Sequence, residues 1–124
     1  DAPKWAGAVW GVEATLPARL PERVIHFQAL PEQPAVERDL ALLAERSTSA
    51  EAIAEVIRDS AGELLEALHP FDLYEGKGVP EGVRSIAWRL RFRHAERTLT
   101  DQEVDRAIDR VLAALDERLH VRRR

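Results

Sequence analysis

The chain has 124 residues, of which 45 % are apolar and 32 % charged, a composition typical of one folded domain rather than of a disordered segment. It has no Cys, no run near the roughly 18–20 apolar residues of a membrane span and no basic-then-apolar leader, so we expect a cytoplasmic protein without disulfides or thiolate chemistry. The net charge of −4 is unevenly distributed. Residues 1–83 carry 7 basic and 15 acidic side chains, a net charge of −8, whereas residues 84–124 carry 11 basic and 7 acidic side chains, a net charge of +4. A partner with phosphates would therefore bind to the second region.

Residues 1–34 are predicted to be a lead-in to the domain that follows. Trp5 to Leu16 alternate in the manner of a β-strand, but a lone strand cannot bury either face, so we expect it to belong to a preceding module or to lie against this domain. Because the sequence lacks Met and starts close to this strand, we expect a piece of a longer protein. Four prolines exclude a helix and predict a stiff, extended connector: Pro17, Pro21, Pro31 and Pro34.

The pattern becomes sharper from residue 35 onwards. Residues 35–44 (AVERDLALLA) are a strand candidate, with Arg38, Leu40 and Leu42 on one side and Asp39, Ala41 and Leu43 on the other. Thr48 and Glu51 fit a capping box, so we expect Thr48 to cap a helix that ends near Gly62. The buried stripe of this helix is predicted at three- and four-residue spacing: Ile53, Val56, Ile57 and Ala61.

A second strand is predicted within residues 64–75 (LLEALHPFDLYE), although Pro70 interrupts it. Strict alternation would place Phe71 and Leu73 on one face and Asp72 and Tyr74 on the other. The glycines and the proline of residues 76–82 (GKGVPEG) predict a loop after it.

The clearest strand covers residues 84–94 (RSIAWRLRFRH), where one face is apolar and the other is small or cationic. A second capping box, Thr100 with Glu103, begins a helix that runs to about Leu119. The short tail, residues 120–124, fits a last edge strand. The buried stripe of the second helix is predicted to hold Val104, Ile108, Val111, Leu112 and Leu115.

The order of elements from residue 35 is therefore βαββαβ. Two helices on one face of a four-stranded antiparallel sheet make a ferredoxin-like α+β sandwich. We predict this domain for residues 35–124, with the strand and connector of residues 1–34 attached to it.

No catalytic or metal site is indicated by the residues. The serines lack a G-x-S-x-G setting, and the glycine-rich loop lacks the Gly-Lys-Ser/Thr ending of a phosphate cradle. The acidic residues of the second helix are typical of a solvated helix face, and they comprise Asp101, Asp105, Asp109 and Asp116. The histidines do not pair at metal-ligand spacing; they are His26, His69, His94 and His120.

The sheet face away from the helices is the remaining candidate. An aromatic ring, a carboxylate, a hydroxyl and guanidinium groups on a flat surface suit unpaired bases, since rings stack and polar groups read base edges. A solvated outer face, on which Arg is common, explains the same pattern about equally well. The residues assigned to this face are Ala41, Asp72, Tyr74, Ser85, Ala87, Arg89 and Arg91, with Arg122 and Arg124 if the tail is a strand.

Four segments carry a more specific resemblance: PAVERDLALL, FDLYEGKGVPEG, RSIAWRLRFRHAERTLTDQEV and the closing helix. Over about residues 31–124 the chain resembles the C-terminal anticodon-binding domain of bacterial phenylalanyl-tRNA synthetase β subunits. The resemblance implies a ferredoxin-like fold that binds the anticodon loop of phenylalanine tRNA. The lead-in resembles the end of the preceding module of that subunit and its connector.

The resemblance also implies roles for individual residues. The ring of Tyr74 would stack on an anticodon base, and Asp72 would accept hydrogen bonds from base edges. Ser85 and Ala41 match further positions of the family site, and its C-terminal Arg falls on Arg124, or less directly on Arg122. The chain departs from the family at two positions beside the third strand: it has Val83 before Arg-Ser where Lys or His is usual, and Ala95 where Pro is frequent.

For the parent enzyme, the resemblance implies a phenylalanine–tRNA ligase that uses ATP and magnesium at sites outside this chain. The remainder of the β subunit and the α subunit of a heterotetramer would be its protein partners. The chain itself would hold no catalytic site and no cofactor.

Two other functions fit the same topology. A small-molecule-sensing or oligomerisation module would pair edge strands and would ignore RNA. A small hydrolase similar to acylphosphatases would need a catalytic Asn, and the sequence contains none.

Overall fold

The computed structural model describes residues 7–8, 10–16, 18, 26 and 33–124. Its helices and strands follow the predicted βαββαβ order, within one or two residues of most predicted boundaries. Their bounds are β1 Val36–Glu45, α1 Ala50–Ala61, β2 Leu65–Tyr74, β3 Val83–Phe92, α2 Asp101–Leu119 and β4 Arg122–Arg123.

The four strands form one antiparallel sheet in the order β2-β3-β1-β4, so β3 and β1 are central and β2 and β4 are the edges. The tail is indeed a strand, although it pairs over only two residues with β1. This topology confirms the predicted ferredoxin-like fold.

The core lies between the sheet and the two helices. The alternation of β1 and β3 places Leu40 opposite Trp88 and Leu42 opposite Ile86, and all four side chains are buried. Both helices bury the predicted stripes against this face, except that Leu112 is only partly buried. Within the described residues, no layer covers the other face of the central strands, as the sequence predicts.

The first helix begins one residue later than predicted. Its N-cap is Ser49, whose Oγ accepts a hydrogen bond from the backbone N–H of Ala52 at 3.1 Å. The prediction of a Thr48–Glu51 capping box was wrong because both Thr48 and Ser49 can cap a helix, and Glu51 instead pairs with Arg58. The helix ends at Gly62, as predicted, with a φ of +83° that favours glycine.

The second capping box is present in both halves. The Thr100 hydroxyl accepts from the backbone N–H of Glu103, and the Glu103 carboxylate accepts from the backbone N–H of Thr100 at 3.0 Å. Arg97 also donates to Glu103, and these hydrogen bonds hold the pKa of the Glu103 carboxyl well below its usual range. Three groups therefore fix the start of α2.

The predicted N-terminal strand is not formed over the residues that the structure describes. Residues 10–16 have no regular secondary structure, and Trp10 and Val12 are 92 % and 99 % exposed. The physical reason is that none of the described strands pairs with this segment. Trp5, Pro17 and most of the predicted connector lie outside the described residues.

A β-bulge interrupts β2. Pro70 is opposite Trp88 and Asp72 is opposite Ala87, so Phe71 between them has no partner on β3. An edge strand tolerates Pro because one side of its backbone makes no ladder hydrogen bonds. With the bulge, Asp72 and Tyr74 lie on the helix-free face, as predicted. Phe71, by contrast, does not follow the strict alternation that was predicted for it.

Candidate nucleic-acid interface

The helix-free face of the sheet is called here the open face. Most of the residues that the sequence predicts for this face lie close together on it. The register places Tyr74 opposite Ser85 on β3, and Asp72 opposite Ala87. Ala87 in turn is opposite Ala41 on β1. Because residues directly opposite one another in an antiparallel pair share a face, all five side chains belong to this face.

The Tyr74 ring is packed against a guanidinium from the other edge of the sheet. The Arg124 side chain places its Cζ atom 5.2 Å from the ring centroid, a cation–π distance. The backbone N–H of Arg124 donates to the carbonyl of Ala41 at 2.8 Å, which continues the pairing of β4 with β1. The small side chains of Ala41 and Ala87 leave room for the ring and the guanidinium to meet.

The loop after β2 holds the Tyr74 ring in place. The Tyr74 hydroxyl donates to the carbonyl of Lys77 at 3.0 Å. A Cβ at Gly76 would stand 3.1 Å from the same hydroxyl oxygen, closer than ordinary van der Waals contact, so the ring packs on this residue because it is glycine. The hydroxyl bond, the loop backbone and Arg124 thus orient a ring that stays 39 % exposed.

Asp72 and Ser85 differ in accessibility. Asp72 is exposed, and one of its carboxylate oxygens accepts from the backbone N–H of Leu73 at 2.9 Å. Ser85 is only 4 % exposed, because larger residues, Tyr74 and Leu43, lie directly opposite it on both neighbouring strands. A ligand can therefore reach the Asp72 carboxylate at once, whereas it reaches the Ser85 hydroxyl only after the neighbouring side chains move.

The cationic character predicted for the open face is reduced by ion pairs. Arg89 donates to both carboxylate oxygens of Asp39 on β1, at 2.8 and 2.7 Å. These hydrogen bonds lower the pKa of the Asp39 carboxyl and raise the pKa of the Arg89 guanidinium. Arg91 pairs with Glu66 on β2 at 3.0 Å. Both arginines lie on the open face as predicted, but their charges are already compensated.

The structure does not bring Arg122 into the group formed by Tyr74, Lys77 and Arg124, called here the Tyr74 cluster. The register places Arg122 opposite Leu43, yet its guanidinium reaches around the sheet edge and pairs with Asp116 on α2 at 3.0 Å. Arg124 is therefore the tail arginine that contacts the predicted stacking residue.

Phe71 and Asp39 are open-face residues that the sequence reasoning did not include. The Phe71 ring lies 5.0 Å from the Cζ atom of Arg89, although alternation had assigned it to the opposite face. Pro70 is the feature of the sequence that could have indicated the position of Phe71, because a proline inside a strand often marks a bulge and a bulge reverses the alternation of side chains.

The described part of the chain holds no group of three or more His, Asp or Glu side chains arranged to bind a metal ion. Neither described helix is long and apolar enough to span a bilayer. A shallow cleft of about 420 Å³ lies beside the exposed half of β2, and Phe71, Leu73 and Ile86 are among the residues that line it.

Comparisons with known proteins agree with this fold. The family described as "Ferredoxin-fold anticodon binding domain" matches residues 31–124. The phenylalanine–tRNA ligase beta subunit of Moorella thermoacetica is 52 % identical over 97 residues, which cover 78 % of this chain and 12 % of that protein. The subunit of the same name from Shouchella clausii is 42 % identical over 91 residues, covering 73 % of this chain and 11 % of that protein.

A third beta subunit, from Pseudomonas syringae pv. tomato, is 46 % identical over 98 residues, covering 79 % of this chain and 12 % of that protein. The chain thus spans about an eighth of the length of the relatives that it matches. From the fold, the matched range and these identities, the chain belongs to the ferredoxin-fold anticodon-binding domain family.

Proposed function

We propose that this chain binds the anticodon loop of phenylalanine tRNA and that the open face is the binding surface. The observation that carries the proposal is the Tyr74–Arg124 pair, an exposed aromatic ring and a guanidinium 5.2 Å apart on the helix-free side of the sheet. The proposal is also supported by the relatives described above, which are phenylalanine–tRNA ligase beta subunits.

The chemistry of the face suits unpaired bases better than a duplex. Single-stranded RNA is recognised by stacking bases on aromatic rings or guanidinium planes and by hydrogen bonds to base edges. Tyr74 and Arg124 supply the stacking surfaces, and the exposed Asp72 carboxylate accepts hydrogen bonds from base amino and imino groups. Ala41 and Ala87 have small side chains at the centre of the open face, so a base can approach the backbone of the sheet there. The hydroxyl of Ser85 becomes a further donor or acceptor once a base displaces its neighbours.

We further propose that the parent protein is a phenylalanine–tRNA ligase, in which this domain orients the tRNA and does not take part in the chemistry. ATP and magnesium would then bind in other parts of that enzyme, and an α subunit would complete it in the cytoplasm. Residues 1–34 would join the preceding module to the domain, and the exposure of Trp10, Val12 and Leu16 supports a covering partner for that segment.

The experiment is a titration of labelled phenylalanine anticodon stem-loop with the wild-type chain, Tyr74→Ala and Asp72→Ala. Loss of one stacked base costs about 1–3 kcal/mol, so Tyr74→Ala should raise Kd about 5- to 150-fold. Both variants should remain folded under the conditions of the titration, because neither side chain belongs to the buried core. Wild-type affinity in both variants would remove the open face from the binding site.

The small-molecule or oligomerisation function rests on the cleft beside β2 and on the outer edge of that strand, which pairs with no other described strand. A solution mass that shows an obligate dimer, together with no response to RNA, would favour this second function over the first.

A further inference from the structure

Phe71 is an aromatic side chain that neither the core nor the Tyr74 cluster uses. It is 52 % exposed and lies at the bulge of β2, where it has no partner on β3. The Cζ atom of Arg89 lies 5.0 Å from its ring centroid. Phe71 and Arg89 therefore repeat the arrangement of Tyr74 and Arg124 at a second place on the open face.

The guanidinium of Arg89 in this second pair is held more firmly than the guanidinium of Arg124 in the first pair. Two hydrogen bonds to the Asp39 carboxylate, at 2.8 and 2.7 Å, fix the plane of Arg89. Fixed planar groups lose little freedom when a ligand stacks on them, so the pair is preorganised for a flat ligand. Because Asp39 compensates its charge, Arg89 offers its plane rather than a free charge for a phosphate.

The spacing of the two rings selects the kind of ligand. Phe71 and Tyr74 are three residues apart on one strand, which separates their Cα atoms by at most about 10 Å at the usual rise per residue, and by less because of the bulge at Phe71. Two bases stacked on each other stand only about 3.4 Å apart. One ligand base therefore cannot serve both rings, but a single strand with its bases splayed apart can place one base on each.

We propose that Phe71 and Arg89 form a second base-stacking site, which takes a nucleotide of the same RNA strand that occupies Tyr74. This inference rests on the proposed function, since it assumes that the open face binds single-stranded RNA. Of the residues on β2, Phe71 would then contribute to affinity independently of Asp72 and Tyr74.

The test compares Phe71→Leu with Leu73→Ala in the 124-residue chain, both titrated with a phenylalanine anticodon stem-loop. Leu73 is the matched control, because it is 56 % exposed on the same strand but lies opposite Ile86, on the helix side. Phe71→Leu keeps an apolar side chain and removes the ring, so it should raise Kd about 5- to 150-fold, the range for loss of one stacked base. Leu73→Ala should bind as the wild type does.

A spectroscopic readout separates stacking from other effects. Stem-loops that carry 2-aminopurine at single loop positions should show one position whose fluorescence change on binding is lost in Phe71→Leu and kept in Tyr74→Leu. If the wild type binds and Tyr74→Leu weakens binding while Phe71→Leu matches the Leu73→Ala control, the second site is refuted and the proposed function stands. If the wild type does not bind, the proposed function itself fails.

Discussion

The guanidinium of Arg124 lies 5.2 Å from the centre of the Tyr74 ring, although Tyr74 ends one edge strand of the sheet and Arg124 follows the other. Three strand spacings, about 14 Å, separate these edges. Both side chains must therefore reach inward over the central strands, where Ala41 and Ala87 leave space. This contact makes the last residue of the chain part of the candidate RNA site.

Arg124→Lys tests whether the plane of this guanidinium matters. Lys keeps the positive charge but cannot stack as a flat group, so we expect RNA affinity to fall nearly as far as in Arg124→Ala. In Arg124→Ala, loss of an exposed cation–π contact of about 0.5–1 kcal/mol corresponds to a two- to five-fold higher Kd. Arg106→Lys, on the exposed face of α2, is the control for the substitution itself. Retention of full affinity in Arg124→Lys would reduce the role of Arg124 to charge alone.

Gly76→Ala tests whether the loop orients the Tyr74 ring. The new Cβ would stand 3.1 Å from the Tyr74 hydroxyl oxygen and should displace it from the Lys77 carbonyl. Gly82→Ala is the matched control, because Gly82 also has a positive φ, of +78°, but open space around its Cβ position.

Both glycine variants should lose about 1–3 kcal/mol of unfolding free energy through backbone strain, measured by urea denaturation. We expect only Gly76→Ala to bind the anticodon stem-loop more weakly than the wild type. Equal affinities in the two variants would mean that the ring needs no support from the loop.

Asp39→Asn tests whether ion pairing suppresses phosphate contacts on the open face. The substitution removes the carboxylate that accepts two hydrogen bonds from Arg89, so the guanidinium becomes available to a phosphate. Each additional phosphate contact should steepen the slope of log Kd against log salt by about 0.7 for a single strand. Asp109→Asn changes the net charge equally on the helix side and should leave the slope unchanged. A slope that does not respond to Asp39→Asn would contradict the compensation of Arg89.

The Glu103 capping box predicts a pH dependence of stability. The pKa of this carboxyl is lowered in the folded chain by hydrogen bonds from Arg97 and Thr100. Its contribution to stability is therefore complete above the ordinary Glu pKa of about 4.3 and decreases progressively as the pH falls below that value. The Tm difference between the wild type and Glu103→Gln should be largest near neutral pH and should shrink on acidification.

Thermal unfolding monitored by circular dichroism at about pH 7, 4 and 2.5 would measure this difference. Glu117→Gln, at an exposed position on the same helix, supplies the background effect of losing one carboxylate. A constant difference across the pH range for Glu103→Gln would show that its carboxylate is not stabilised by folding.

The sequence predicts the regular part of the fold because alternation and capping are local signals. The strict alternation of β3 identifies its buried face, so Ser85 is predicted to lie on the opposite face. Tyr74 lies on that same face because it is directly opposite Ser85 in the sheet. Thr100 and Glu103 mark the start of α2 because a capping box needs only four consecutive residues.

Departures from the prediction arise where neighbours distant in sequence decide the outcome. The direction of Arg122 depends on Asp116, which becomes a neighbour only after α2 packs on the sheet. The burial of Ser85 depends on the larger residues opposite it on two strands. Phe71 changes face because of a bulge beside Pro70, whose exact form follows from pairing with β3.

The most direct measurement is a binding series in which the wild-type chain is titrated with anticodon stem-loops that differ only in the three anticodon bases, at two salt concentrations. If the open face holds unpaired bases, the phenylalanine anticodon should bind most tightly and the preference should persist at the higher salt. Equal binding of all the stem-loops, with a steep loss of affinity at higher salt, would show attraction to phosphates alone and would contradict base recognition by this face.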